Sequence, residues 1–167
     1  LFQISFALNY LQKHYHFTHN DLHINNVMYS KTDSKFIYYK INNKYFKIPT
    51  YGKIFKIIDF GRSIFTFKNK IYMNDVFSKN SEAWGQYEHQ PQVKYFIKKE
   101  KNIPNCKPSY YFDLCRLSMT ILEENKNKIK NKKLLDLLNT ICIDKFGNHY
   151  CNMNDDFSLY INISKNA

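Results

Sequence analysis

Apolar residues recur every three to four positions at the start of the chain. They are Leu1, Ile4, Leu8, Leu11 and Tyr15. Because an α-helix has 3.6 residues per turn, this spacing places them on one face and predicts an amphipathic helix. The periodicity ends before residues 16–26, which are rich in polar side chains and are predicted to form an ordered loop.

Short strands are predicted after this loop. Residues 27–29 can form a strand, and residues 36–39 and 45–48 flank the pair Asn42 and Asn43. Asparagine tolerates the left-handed backbone conformation that tight hairpin turns require. The segment from 36 to 48 is therefore predicted to be a β-hairpin.

The second half of the sequence is predicted to be mainly helical. Residues 62–111 have poor periodicity and contain three prolines, which indicates loop with short helices. Residues 113–122 and 134–143 show helical apolar spacing, and residues 155–164 can form a last short helix. Residues 123–133 are predicted to be a charged connector. The whole pattern predicts an α+β fold, mostly helical, with small antiparallel hairpins at one edge.

The charge of the chain narrows the classes of partner. The 167 residues carry 25 Lys and Arg against 14 Asp and Glu, a formal net charge of +11, but only Arg62 and Arg116 are arginines. Proteins that read a nucleic-acid sequence rely on arginine for bidentate base contacts. The excess is therefore interpreted as a lysine-coated surface, and no nucleic-acid partner is expected. Salt-sensitive, sequence-independent nucleic-acid binding is a weaker alternative.

The sequence contains no pattern typical of a membrane span, a signal peptide or a cysteine metal site. No stretch approaches the roughly 18 consecutive apolar residues that a membrane span needs, and no signal peptide is recognisable. The cysteines are Cys106, Cys115, Cys142 and Cys151. Since no two of them form a C-x-x-C pair, the spacing predicts neither a zinc site nor a redox motif. Reduced thiols in the cytoplasm are expected.

Two segments carry candidate chemistry. Residues 19–26 read H-N-D-L-H-I-N-N, and a strand predicted for residues 53–58 runs into D-F-G. Phosphoryl transfer needs a group that accepts or orients the attacking hydroxyl, and oxygen ligands for Mg²⁺. Asp21 suits the first role, and Asn26 and Asp59 suit the second. These residue types therefore favour phosphoryl transfer.

Together the two segments resemble the protein-kinase signature H-R-D-L-x-x-x-N followed by D-F-G. The resemblance covers about residues 1–125. It implies that residues 1–167 are a partial kinase domain, the C-lobe, with the hairpins at its catalytic edge. The implied function is an ATP-dependent phosphotransferase, a Ser/Thr protein kinase, with ATP and Mg²⁺ as cofactors. Asp21 would be the catalytic base, and Asn26 and Asp59 would bind the metal and the nucleotide.

The resemblance also implies supporting roles. His19 would bridge the catalytic loop to D-F-G, with Phe60 packed beside it, and Gly61 would allow a sharp turn. Asp113 would accept hydrogen bonds from the loop backbone, although an ordinary aspartate at a helix N-terminus is an equal alternative. His23 stands where Ser/Thr kinases carry lysine and would partly neutralise the transferred phosphate.

Kinases bind ATP between two lobes, and the glycine-rich loop and lysine of the N-lobe do not occur in this sequence. The chain is therefore expected to be part of a longer protein that supplies an N-lobe, and to be inactive alone. A protein substrate is expected, and a membrane is not. The segment from Thr18 to His23 and the lysine- and asparagine-rich composition resemble those of kinase-like proteins of large DNA viruses. This resemblance implies that the protein is located in the host cytoplasm.

Some positions depart from the kinase pattern. Asn20 replaces the arginine that pairs with an activation-loop phosphate, and the Arg62 side chain is not expected to reach back across Gly61 to compensate. The H-N-D sequence also resembles small-molecule kinases of the choline and aminoglycoside type, although the complete D-F-G favours a protein kinase. A pseudokinase or scaffold without catalysis is a third possibility, against which the intact Asp21, Asn26 and Asp59 argue.

Overall fold

The structure, a computed structural model, describes residues 1–74, 76, 80–83, 109–152 and 156–166. This part of the chain has an α+β fold with four α-helices and three two-stranded antiparallel sheets, so the predicted α+β class is confirmed. The helices are α1 (Phe2–Tyr15), α2 (Tyr110–Asn125), α3 (Lys132–Ile141) and α4 (Asp156–Asn166). The strands are β1 (Val27–Lys31), β2 (Phe36–Ile41), β3 (Lys44–Pro49), β4 (Lys53–Ile57), β5 (Phe65–Phe67) and β6 (Lys70–Tyr72).

The amphipathic helix predicted at the start of the chain is confirmed as α1. Its Ile4 and Leu8 are buried in one cluster with Phe17, Leu22 and Leu117, so the apolar face joins the loop that follows α1 to α2. Burying such side chains stabilises a fold by roughly 1.5–3 kcal/mol each. This cluster holds the polar loop of residues 16–26 against the helical core.

The hairpin predicted around Asn42 and Asn43 is confirmed as β2 and β3, which pair in antiparallel register. Both asparagines have left-handed backbones, with φ of 49° and 62°, as a type I′ turn requires. A second pairing has more consequence for function, because β1 and β4 run antiparallel with Val27 opposite Ile57. This register brings the end of the polar loop next to the D-F-G segment.

The interpretation of residues 62–111 as loop with short helices is wrong at its start, where β5 and β6 form a third hairpin. Its turn is Lys68 and Asn69, both with positive φ. The strands are three residues long and too short to show alternation, and lysine is not a typical turn signal. The rings of Phe65 and Tyr72 stack across the pair with centroids 5.3 Å apart. Most of the remaining segment lies outside the described residues.

The helices predicted in the second half are confirmed with shifted ends. α2 begins three residues before the predicted position and continues to Asn125, into the predicted connector. α3 begins after Asn131, whose side chain accepts a hydrogen bond from the Leu134 backbone N–H at 3.1 Å, as an N-cap does. α2 and α3 share a hydrophobic core with α4. The buried residues of this core are Ala83, Phe112, Cys115, Met119, Leu122, Leu138, Cys142, Tyr150, Leu159 and Ile163.

None of the helices in the described part of the chain combines the length and the apolar character that a membrane crossing requires.

Candidate active site

The polar loop after α1 is held in place by its backbone. Thr18 and Ile64 exchange two backbone hydrogen bonds, at 2.8 and 2.9 Å, which tie the loop to the segment after D-F-G. His16 and Asn20 adopt left-handed conformations, so the chain reverses direction twice within a few residues. The Asn20 side chain donates to the Thr18 hydroxyl and to the Arg62 carbonyl. Asn20 therefore has a structural role in holding this loop.

Asp113 fixes this loop from the side of α2. Its Oδ2 accepts the His19 backbone N–H at 2.7 Å and its Oδ1 accepts the Asn20 backbone N–H at 2.8 Å. The side chain is fully buried, and this desolvation raises its pKa to about 7, although the two N–H groups act to lower it. The N-cap of α2 is Ser109, so Asp113 does not cap its own helix. Its carboxylate instead binds the loop backbone more than 90 residues away in the sequence.

Asp21 follows immediately after the two residues that Asp113 holds. Its side chain is 19% exposed, with Oδ2 3.7 Å from Arg62 Nε and 4.0 Å from His23 Nε2. The Tyr160 hydroxyl donates a hydrogen bond of 2.8 Å to its Oδ1. Asp21 is therefore a partly accessible carboxylate with a cation on one side and a phenol on the other.

Asn26 is buried at the end of a 3₁₀ turn, Ile24–Asn26, which leads into β1. Its Nδ2 donates to the Asp21 carbonyl at 2.9 Å and lies 3.2 Å from His23 Nε2. Because the amide nitrogen is used in this way, the Oδ1 atom is the one left for a ligand. The Asn26 carbonyl also accepts the Ile58 backbone N–H at 3.0 Å, which links the loop to the residue before Asp59.

Asp59 lies at the end of β4 with its backbone in the left-handed region, at φ 62° and ψ 71°. Gly61 was expected to allow a sharp turn just after Asp59. The chain turns there over the 3₁₀ segment Phe60–Arg62, and the left-handed residue is Asp59 itself, since aspartate tolerates this conformation. Gly61 also leaves room beside the Asp59 side chain. A Cβ there would lie 3.3 Å from Asp59 Oδ1, and its N–H points to that oxygen at 3.4 Å.

His19 and Phe60 lie between the two segments. The His19 ring is buried, and its Nε2 is 2.9 Å from the Ile58 carbonyl oxygen. Burial lowers the pKa of His19, so the ring is neutral at pH 7 and Nε2 donates to that carbonyl. The Phe60 ring centroid lies 5.6 Å from that of His19. His19 thus joins the loop to the residue before Asp59, with Phe60 packed beside it.

Two residues at this site were not identified from the sequence. The Arg62 side chain was not expected to reach back across Gly61, but it lies beside Asp21 and also pairs with Glu82, Nη2 to Oε1, at 2.9 Å. Tyr160 is 139 residues from Asp21, and no local pattern links them. Arg116 supports Tyr160, since its Nε donates to the phenol oxygen at 3.4 Å.

The arrangement brings together a carboxylate that can accept a proton, an amide oxygen and a second carboxylate that can bind a divalent cation, and basic side chains. No protein-family model matches the chain, and a search of curated proteins gives no match.

Proposed function

We propose that this chain carries the catalytic lobe of a protein kinase-like phosphotransferase. The observation that carries the proposal is the pair of hydrogen bonds that the His19 and Asn20 backbone N–H groups donate to the buried Asp113 carboxylate. Together with the Asn26 contacts to the Asp21 carbonyl and the Ile58 N–H, they order one surface on which a base and two metal ligands meet. Such positioning is most of what enzymes that transfer phosphoryl groups require of the protein.

The roles follow from the chemistry of each group. Asp21 orients the attacking hydroxyl and accepts its proton, because its carboxyl group is partly exposed at the loop surface. Asn26 Oδ1 and the Asp59 carboxylate would bind Mg²⁺, a cation that prefers oxygen ligands and would neutralise charge on the phosphates of ATP. His23 lies 4.0 Å from Asp21 Oδ2 and can contact the transferred group. A separate N-lobe would supply the remaining contacts to ATP. Because ATP is plentiful in the cytoplasm, a cytoplasmic location is part of the same proposal.

Tyr160 bears directly on the base. Its hydroxyl donates a hydrogen bond to Asp21 Oδ1, one of the two oxygens that could accept the proton of a substrate hydroxyl, so the phenol competes with the substrate for that oxygen. We therefore expect Tyr160→Phe to raise kcat/KM by about tenfold or more, since hydrogen bonds to charged groups are worth about 1.5–3 kcal/mol and about 1.4 kcal/mol is a factor of ten in rate. The phenylalanine ring would keep the packing against Phe112, whose centroid is 5.5 Å away.

The matched control is Tyr111→Phe, because Tyr111 is 72% exposed on α2. Steady-state rates of both variants over a range of substrate concentrations are the measurement. Unchanged or lower activity of the Tyr160 variant would show that the phenol does not compete with the substrate for Asp21.

The function is tested with protein expressed from its complete reading frame and [γ-³²P]ATP. Generic protein substrates, choline and aminoglycosides are offered separately with Mg²⁺. We expect label to enter protein on serine or threonine and to depend on Mg²⁺. Label in choline or an aminoglycoside instead would identify the small-molecule alternative that the H-N-D sequence suggests, and binding of nucleotide without any transfer would identify a pseudokinase.

A further inference from the structure

The loop after α3 brings together three side chains that bind transition metals. Cys142 is the C-cap of α3, and His149 and Cys151 follow the turn. One ligand atom from each residue lies within 4.8 Å of the other two. Cys142 and Cys151 are free thiols. The pattern C-x₆-H-x-C lacks the C-x-x-C pair on which a zinc site is usually predicted, so this group could not be recognised from spacing alone.

Several hydrogen bonds within this loop determine the path of its backbone. Asp144 Oδ1 accepts the backbone N–H groups of Phe146 and Asn148, both at 2.8 Å, and Gly147 supplies the positive φ of 90° that the turn requires. The Tyr150 N–H then donates to the Cys142 carbonyl at 2.9 Å. These bonds return the chain to the end of α3, so the three side chains meet because of the backbone path.

The His149 ring is oriented in the way that suits a metal ligand. A backbone N–H can only donate, so the contact of 3.2 Å between the Cys151 N–H and Nδ1 makes Nδ1 the unprotonated nitrogen. That contact uses the single lone pair of Nδ1, so a metal ion bound there would replace the Cys151 N–H. Nε2 then donates to Asn139 Oδ1 at 3.2 Å. The Asn139 amide is itself fixed, since its Nδ2 donates to the Leu135 carbonyl at 2.8 Å. Histidines that bind metals characteristically donate their second N–H to such a partner.

The group opens into a cavity of about 480 Å³, which gives a metal ion a path from solvent. Glu123 lines the same cavity as His149 and Cys151, so its carboxylate is a candidate for a further ligand if its side chain turns toward them. Two thiolates with one imidazole are a donor set that favours Zn²⁺. In a tetrahedral Zn²⁺ site the bond lengths of about 2.0–2.3 Å place ligand atoms roughly 3.5–3.8 Å apart, so a shift of about 1 Å closes this group around the ion.

We propose that Cys142, His149 and Cys151 form a Zn²⁺ site, with the fourth position taken by Glu123 or water. On binding, both thiols lose their protons to solvent and become thiolates, so one Zn²⁺ replaces two H⁺. The site joins the end of α3 to the segment that leads into α4, the helix that carries Tyr160 to Asp21. It is independent of the proposed phosphotransfer and is present whether or not the chain is an enzyme.

The site is tested by metal titration of the chelator-treated protein under a reductant, which keeps the thiols free. We expect one Co²⁺ per chain with thiolate-to-cobalt charge-transfer absorption, displacement of Co²⁺ by Zn²⁺, and a rise in Tm with Zn²⁺. Cys151→Ser and His149→Gln should each weaken Zn²⁺ binding by at least tenfold and remove the rise in Tm. His14→Gln is the matched control, because His14 is exposed on α1.

The proposal is overturned if the wild-type protein binds no stoichiometric Co²⁺ or Zn²⁺, or if its spectrum lacks the thiolate bands. It is also overturned if the Cys151 and His149 variants bind Zn²⁺ as tightly as the wild type and the His14 control.

Discussion

Changing Asp21 to asparagine is expected to lower the rate of phosphoryl transfer by about 10²–10⁴-fold, the usual contribution of a general base. Asparagine keeps the size of the side chain and an oxygen that can accept the Tyr160 hydroxyl, but it cannot take a proton from the substrate. The Asp21 backbone carbonyl, which receives the Asn26 amide, is unchanged. The variant should therefore fold normally and bind nucleotide while losing turnover.

Initial rates with [γ-³²P]ATP, together with nucleotide affinity, separate these two effects. Asp136→Asn serves as the control, since Asp136 is exposed on α3 and lies outside the site, and its rate should match that of the wild type. Full turnover by the Asp21 variant would remove this residue as the base. A loss confined to nucleotide affinity would assign it a binding role instead.

Changing Asp113 to asparagine is expected to lower the free energy of unfolding by about 1–3 kcal/mol. Both carboxylate oxygens accept backbone N–H groups in a fully buried position, whereas asparagine has a single acceptor oxygen. Whichever way its amide is turned, an NH₂ group faces either the His19 or the Asn20 N–H and leaves that donor without a partner. The loop that carries Asp21 should also become less ordered, so activity should fall with stability.

Urea denaturation of the wild type, Asp113→Asn and the Asp136→Asn control gives these free energies directly. If the Asp113 variant is as stable as the control, the two hydrogen bonds do not anchor the loop. The structural basis of the proposed site would then be lost.

The elements that were predicted correctly depend on local patterns. The apolar period of α1 and the Asn42–Asn43 turn act within a few residues, so the sequence alone was sufficient. Asn26 and Asp59 lie near each other because β1 and β4 pair with Val27 opposite Ile57. This proximity can be anticipated from the sequence if the two predicted strands are assumed to be neighbours in a sheet. For Asp113, the sequence left two interpretations open, and only the packing of α2 against the loop distinguishes them.

The features that were missed depend on contacts between distant parts of the chain. Tyr160 reaches Asp21 because α4 packs on α2, and no spacing in the sequence reports such packing. The left-handed conformation of Asp59 was not anticipated, because the residue type that most readily signals a turn in this segment is Gly61. Cys151 was not linked to Cys142 because their proximity depends on the turn that Asp144 stabilises.

Asn26 and Asp59 are proposed to hold a divalent cation together with the phosphates of ATP. Binding of Mn²⁺ tests this role directly, and the substrate does not need to be known. Mn²⁺ shares the oxygen ligands of Mg²⁺ and is followed by electron paramagnetic resonance. With protein expressed from its complete reading frame, we expect Mn²⁺ to bind only when a non-hydrolysable ATP analogue is present. Binding should persist in Asp136→Asn and be lost in Asp59→Asn, which should remain folded. Failure of the wild type to bind Mn²⁺ with the nucleotide, or equal binding by Asp59→Asn, would contradict the account.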